Sequence, residues 1–326
     1  MAGMTTADAL ALAARFAIAV DGATATALRG GYSNENVRVD AAGGRYVVRR
    51  YGRLHVSRDA VAFEHAIAAH AARAMREIVA PLRDADGRTI ADAPGGGIAA
   101  VLPYVEGTTG RRDVGAACAA ASVTARFHRA MHDVHVSGGT RATRFLGVFP
   151  WLRERFSRFA ADPLVGRTLD WSALVVAVGG ATVRVARTGV LPLVVVHGDP
   201  NPGNVVHGDD GTVRALIDLD FAHESERVYD VGVLLDEFAR DGDDAPLRLE
   251  RIAPIVAAYH SVAPLTAGER DVLPEAMLRR AATLTWYVAT RHGERVPGDV
   301  GGAPRYAARV AEIARLAGAI REAARV

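Results

Sequence analysis

Apolar positions along the chain switch between two periods, and the switches separate an early stretch of short strands around one helix from a later, mostly helical stretch. Thr5 or Thr6 is placed to cap an amphipathic helix running to about Ala19, and alternation over residues 26–39 predicts a strand, a turn and a second strand. A third strand is predicted over residues 45–49. Ser57 then caps a helix that buries Ala60, Val61, Ala62, Phe63, Ile67 and Ala68. Residues 79–82 and 89–91, joined by Asp84-Ala85-Asp86-Gly87, predict a hairpin, and residues 98–102 the last strand of this sheet. Beyond Gly107 the spacing is helical over 114–131, 151–159, 171–187, from Thr266 to Thr290 with a break near Pro274, and from Pro304 onward. Residues 174–178 fit a strand as well.

Two short apolar runs interrupt the helical part, at residues 193–196 and 213–217, with the turn residues His207-Gly208-Asp209-Asp210-Gly211 between them. They frame the loop His197-Gly198-Asp199-Pro200-Asn201-Pro202-Gly203-Asn204 and end on Ile217-Asp218-Leu219-Asp220. Moving a γ-phosphoryl group from ATP to an alcohol requires a carboxylate that orients the hydroxyl and accepts its proton, together with hard oxygen ligands for Mg2+. Asp199 suits the first role; Asn204 and Asp218 suit the second. Pro200, Pro202 and Gly203 bend and stiffen the loop, so backbone geometry presents its side chains. His197 reads as a support of the loop, and Asp220 either contacts a second metal through water or braces the loop.

At these residues the chain resembles the aminoglycoside phosphotransferase and choline kinase superfamily, whose members have a protein-kinase-like fold. The loop is similar to that family's HGDxxxxN and the Ile-Asp-Leu-Asp run to its IDxD, while residues 227–232 and the Pro103-Tyr104-Val105-Glu106-Gly107 stretch resemble two further family segments. The resemblance implies an α+β, two-lobed fold: a small antiparallel-sheet N-terminal nucleotide-binding lobe with one main helix over residues 1–103, a hinge at 103–107, and a mostly helical C-terminal catalytic and substrate-binding lobe over 108–326. It further implies that Pro103, Tyr104 and Val105 offer backbone groups to adenine, and that Asp230 accepts backbone hydrogen bonds beneath the loop.

One departure from the family pattern concerns the phosphate grip. The family carries a lysine on the third strand, whereas all 39 basic residues here are arginine. Arg49 stands at that position; a guanidinium binds phosphate bidentately, with a reach and geometry different from lysine's. Arg50 should face the other side of the strand. The resembled fold pairs the strand cation with a helix glutamate, and Glu64 lies on the matching helix. Gly30 and Gly31 let backbone approach phosphates, with Ser33 and Asn34 adding donors.

Composition narrows the picture without changing it. Half of the 326 residues are hydrophobic, enough for a sizeable core, and a net charge of +2 argues against nucleic acid or an anionic membrane as partner. The lone cysteine, Cys118, reads as a small buried hydrophobe. No run approaches the roughly 20 apolar residues of a membrane span, and Asp8 with no basic leader argues against a secretory signal, so a cytoplasmic setting is expected. Zinc-ligand spacing, a P-loop and a GxSxG elbow are all missing from the sequence, and the stretch from Asp218 to Asp230 is too short for a protein kinase's activation loop.

Thirteen acidic residues against three basic ones between Asp199 and Asp244 suggest either an electronegative floor suited to an amino-bearing substrate or a solvated surface. Trp286, Tyr287, Arg291 and His292 line the substrate side or pack as core. The reading is an ATP- and Mg2+-dependent O-phosphotransferase for a small polar alcohol, on the homoserine-kinase-like branch. An antibiotic kinase is the near alternative and a non-catalytic ATP-binding pseudokinase the distant one.

Overall fold

Residues 3–28, 34–52, 57–134 and 144–325 are described by the computed structural model. They form two compact units, Met1–Thr108 with Arg214–Asp220, and Thr109–Val213 with Phe221–Val326.

In the first unit, Thr5 starts α1 (Thr6–Arg15) through a capping box: its hydroxyl accepts from the Asp8 amide at 3.1 Å, and the Asp8 carboxylate accepts from the Thr5 amide at 3.0 Å. The helix stops short of Ala19 because Ala17 turns into the left-handed region at φ 59°. Strands β1 (Thr24–Ala27), β2 (Glu35–Ala41) and β3 (Gly44–Arg50), then helix α2 (Arg58–Ala71), then β4 (Ala91–Asp92) and β5 (Ile98–Pro103) follow. The sheet is antiparallel in the order β1-β2-β3-β5-β4. Val37, Val39, Val48 and Val101 share the face that buries Leu12, Ala13 and Phe16 of the α1 region. Arg49, in register with Asn36 and Ala100, points to the opposite face, where Val61 of α2 packs on Ala100.

Two sequence expectations fail here for physical reasons. Residues 79–82 form no strand, since the amide of Leu82 reaches β5 through a single bond to the Val101 carbonyl at 2.8 Å; the turn at Asp84 is real, closed by Asp84 and Arg88. Helix α2 leaves the expected Ala62 exposed and buries His65 instead, because this polar group finds partners inside. His65 bonds the Tyr51 hydroxyl at 3.0 Å and the Thr89 hydroxyl at 2.7 Å.

The second unit holds α3 (Val114–Ala130), α4 (Phe145–Ala161), α5 (Trp171–Thr188), β6 (Leu193–Val196) and β7 (Val205–His207), followed after the turn by β8 (Val213–Leu216), whose last three residues belong to the first unit. Next come β9 (His223–Glu226), α6 (Val228–Phe238), α7 (Ile252–Val262), α8 (Ala267–Asp271), α9 (Leu273–Gly293) and α10 (Ala303–Ala323). Residues 174–178 are helical, Asp170 capping α5 through the Ala173 amide at 2.9 Å. Helix α4 starts six residues before Trp151 and carries Pro150 within it.

Strand β9 has no apolar alternation, yet it pairs antiparallel with β6, Val196 opposite His223. His223, Ser225 and Glu226 are buried against Arg279, which donates to Ser225 at 2.9 Å. Helix α6 is buried along its whole length and lies close against α9: a Cβ on Gly232 would come within 2.5 Å of Ala276. Cys118 is half-buried, its thiol against the Pro254 carbonyl at 3.5 Å. Among the described residues, no helix is long and apolar enough to cross a membrane.

Candidate active site

In the second unit, the buried strand β6 delivers His197, and the chain then reverses at Gly198 with φ 86°. Only glycine fits, since a Cβ there would lie 2.2 Å from the Phe221 carbonyl oxygen. Asp230, fully buried on α6, fixes the turn by accepting from the amides of His197 at 2.7 Å and Gly198 at 2.9 Å. It also accepts from His128 Nε2 at 2.9 Å, which leaves His128 Nδ1 to accept from the Tyr259 hydroxyl at 2.6 Å. Burial pushes the Asp230 carboxyl up, but the His128 bond and the loop amides outweigh it and hold the group below its ordinary value.

Asp199 follows at the mouth of this turn, its amide donating to His197 Nδ1 at 3.2 Å, so His197 acts as a structural acceptor. Asn201 caps the next turn through the Gly203 amide at 2.7 Å, and the Gly110 amide ties down the Pro202 carbonyl at 2.7 Å. Asn204 donates its amide NH2 to the Asp199 carbonyl at 2.9 Å, which turns its side-chain oxygen outward. His197, Asp199, Asn204 and Asp230 thus form one hydrogen-bonded assembly.

A second assembly lies in the first unit. Arg49 Nη1 sits 2.7 Å from Asp218 Oδ1 and 3.6 Å from Glu64 Oε1, while its Nε donates to Asn36 at 3.2 Å. Asp218 adopts φ 72°, unusual for a residue other than glycine and common where strain serves a site. Burial opposes the charge on Arg49, but Asp218 and Glu64 together raise its pKa above the usual arginine value. Burial also pushes the Glu64 carboxyl up to about 7 against the pull of Arg49. Asn34 bridges this assembly, donating to Asp220 at 3.4 Å and accepting from the Gly52 amide at 3.2 Å.

Ser33, expected beside Asn34, lies outside the described residues. At the expected hinge, Pro103 pairs with Tyr46 in the sheet and the Tyr104 amide donates to the Arg45 carbonyl at 2.9 Å. Arg50 points away from Arg49, to Glu35 at 3.5 Å and the Gly96 carbonyl at 3.1 Å.

Among the expected substrate residues, Trp286 packs edge-on against Trp151 with ring centres 4.5 Å apart, both rings half-buried. Tyr287 and Arg291 share a stripe of α9 by helical spacing, while His292 contacts Asp299 at 3.3 Å. The residue that sequence reasoning missed is Arg280 on the same stripe, whose Nη2 lies 2.6 Å from Asp199 Oδ1. Its signal was a pair of arginines, Arg279 and Arg280, set inside the apolar run from Met277 to Ala282. In the acidic stretch Asp209, Asp210, Asp241, Asp243 and Asp244 are exposed, whereas Asp236 and Glu237 are buried and paired. Asp236 is paired with Arg240 at 3.2 Å and Arg309 at 3.3 Å, and Glu237 with Arg309 at 3.3 Å and Arg112 at 3.7 Å.

The model of the phosphotransferase enzyme family, APH, matches residues 24–265, most of the chain. The chain belongs to this family. As an APH phosphotransferase it is an enzyme that phosphorylates small-molecule alcohols, with a protein-kinase-like fold. Among curated relatives, a homoserine kinase of Rhodopseudomonas palustris (strain TIE-1) is 28% identical over 264 residues, covering 78% of this chain and 74% of the relative. A microcompartment-associated aminopropanol kinase superposes with a TM-score of 0.69 at 17% identity, covering 95% of each chain. An aminoglycoside phosphotransferase from Alicyclobacillus acidocaldarius gives 0.68 at 14% identity, covering 99% of this APH chain and 97% of its own. The two structural likenesses speak for the fold.

Proposed function

We propose that the protein transfers the γ-phosphoryl group of ATP to the hydroxyl of a small amino alcohol of the homoserine type, with Asp199 as the base. The observation that carries this reading is the Asp199 assembly, in which Asp230 and His128 fix the loop that presents the Asp199 carboxylate. In this role Asp199 orients the acceptor hydroxyl and takes its proton as the new bond to phosphorus forms. Asn204 and Asp218 are the residues that would hold Mg2+. Their hard oxygens fit the ion, and the NH2 bond of Asn204 to the Asp199 carbonyl leaves its side-chain oxygen for it. Bound Mg2+ supplies charge neutralisation on the phosphates. Arg49, steered by Glu64, is the guanidinium that grips them, and Asn34, Pro103 and Val105 complete the nucleotide contacts.

The relatives named homoserine kinase support the choice of acceptor, and a cytoplasmic setting is part of the same proposal. An ADP-release screen over homoserine, choline, sugars and aminoglycosides with Mg2+ tests it. Asp199→Ala should lose about 1,000-fold in kcat with nucleotide affinity unchanged. Full turnover by that variant refutes the base assignment, and turnover of aminoglycosides alone moves the acceptor to the antibiotic class.

A further inference from the structure

Arg280 enters the Asp199 assembly from α9 with its guanidinium almost wholly buried, 12% of the side chain being exposed. Among the described residues, one of its five N–H donors is engaged, by Asp199 Oδ1 at 2.6 Å. Its Nε is buried with no hydrogen-bond partner among the described residues. Glu237 Oε1 lies 3.9 Å from that Nε, beyond hydrogen-bond reach, and is itself 3.3 Å from Arg309. A buried N–H donor left unfilled costs stability unless a ligand completes it. The place is held by the backbone: the close contact of Gly232 with Ala276 sets α9 against α6, and Asp230 on α6 sets the loop that bears Asp199.

Any acceptor whose hydroxyl reaches Asp199 comes within range of this guanidinium. The complementary group is a planar anion, which a guanidinium binds through paired N–H bonds. A cationic acceptor would meet Arg280 with neighbouring acids already paired to Arg309, Arg240 and Arg112. We propose that Arg280 is the specificity-determining residue for the acceptor: it holds Asp199 through Nη2 and binds a carboxylate of the acceptor through its remaining N–H groups. The substrate class is therefore hydroxylated carboxylic or amino acids, in preference to polycationic amino sugars or quaternary ammonium alcohols. This rests on the phosphotransferase reading above and extends it to the acceptor's charge.

The test compares the full-length protein with Arg280→Gln and Arg280→Lys on matched acceptors: L-homoserine and 4-hydroxybutyrate, which carry a carboxylate, against homoserinol and 3-aminopropanol, which do not. In the wild type, kcat/KM should favour the carboxylate-bearing member of each pair by roughly 10- to 100-fold. Arg280→Gln should bring the ratio near one, mainly through KM for the carboxylate acceptors, and Arg280→Lys should retain an intermediate preference. A ratio unchanged by Arg280→Gln, or equal losses on both acceptor types, overturns the proposal and leaves Arg280 as a support of Asp199 alone. If no acceptor stimulates ADP release above the Asp199→Ala background, the phosphotransferase reading fails. Calorimetric binding of L-homoserine and 4-hydroxybutyrate then decides the Arg280 assignment separately: binding lost in Arg280→Gln sustains it, while equal or absent binding in the wild type overturns it. Arg280→Lys serves as the folding control, its melting temperature compared with wild type.

Discussion

Arg49 lies 2.7 Å from Asp218 but 3.6 Å from Glu64, so the strand cation is bound more closely by the expected metal-site aspartate than by the helix glutamate. A guanidinium is longer and wider than an ammonium, and here it spans both carboxylates while its Nε holds Asn36. Arg49→Ala should therefore strike twice. It removes the proposed phosphate grip, which should raise KM for ATP by at least about 10-fold, and leaves two carboxylates without their cation, lowering stability by about 3 kcal/mol. Arg49→Lys should recover most of the stability and less of the ATP affinity, because one ammonium cannot reproduce the forked contacts. Steady-state kinetics over an ATP series and urea denaturation of each variant check this.

Gly198→Ala tests the geometry of the reversal. Its Cβ would sit 2.2 Å from the Phe221 carbonyl oxygen on a backbone at φ 86°, so the loop must shift or the fold must weaken. A destabilisation of about 2 to 4 kcal/mol is expected, with kcat falling more than KM for ATP rises. Wild-type stability and turnover in this variant would show that the loop tolerates displacement.

Asp230 carries three hydrogen bonds in a fully buried position, two from loop amides and one from His128. Asp230→Ala leaves all three donors unsatisfied and should cost about 3 to 5 kcal/mol. Asp230→Asn keeps one acceptor oxygen and should cost less. The difference between the two in denaturant midpoint, at unchanged slope, measures how much of the loop's order depends on the charge.

Acid stability should depend on two buried histidines. Burial first, and the positive charges of Arg279 near His223 and Arg49 near His65, depress both to about 4 from the ordinary 6.5. A depressed folded pKa means that the neutral form stabilises the fold above pH 6.5, and that this contribution is lost as pH falls through about 4. Each histidine should supply about 3 kcal/mol of that loss. Melting temperature should decline from pH 6.5 downward, and His223→Gln should flatten the decline; an unaltered acid limb in that variant would count against a depressed His223.

The sequence by itself determined the loop that carries Asp199 and Asn204, the Ile-Asp-Leu-Asp run, the arginine in place of the strand lysine and most of the helices, because each is written in local spacing, turn chemistry or caps such as Thr5 with Asp8 and Thr266 with Glu269. It misread elements whose stability comes from distant partners. Strand β9 is polar along its length and exists because β6 pairs with it and Arg279 satisfies it. Helix α2 turns His65 inward because Tyr51 and Thr89 await it. Arg280, 81 residues from Asp199 along the chain, meets it only because Gly232 lets α9 close on α6. Local patterns record what a segment does alone, whereas the pairing of buried charges is settled by which segments pack together, and that is a property of the tertiary structure.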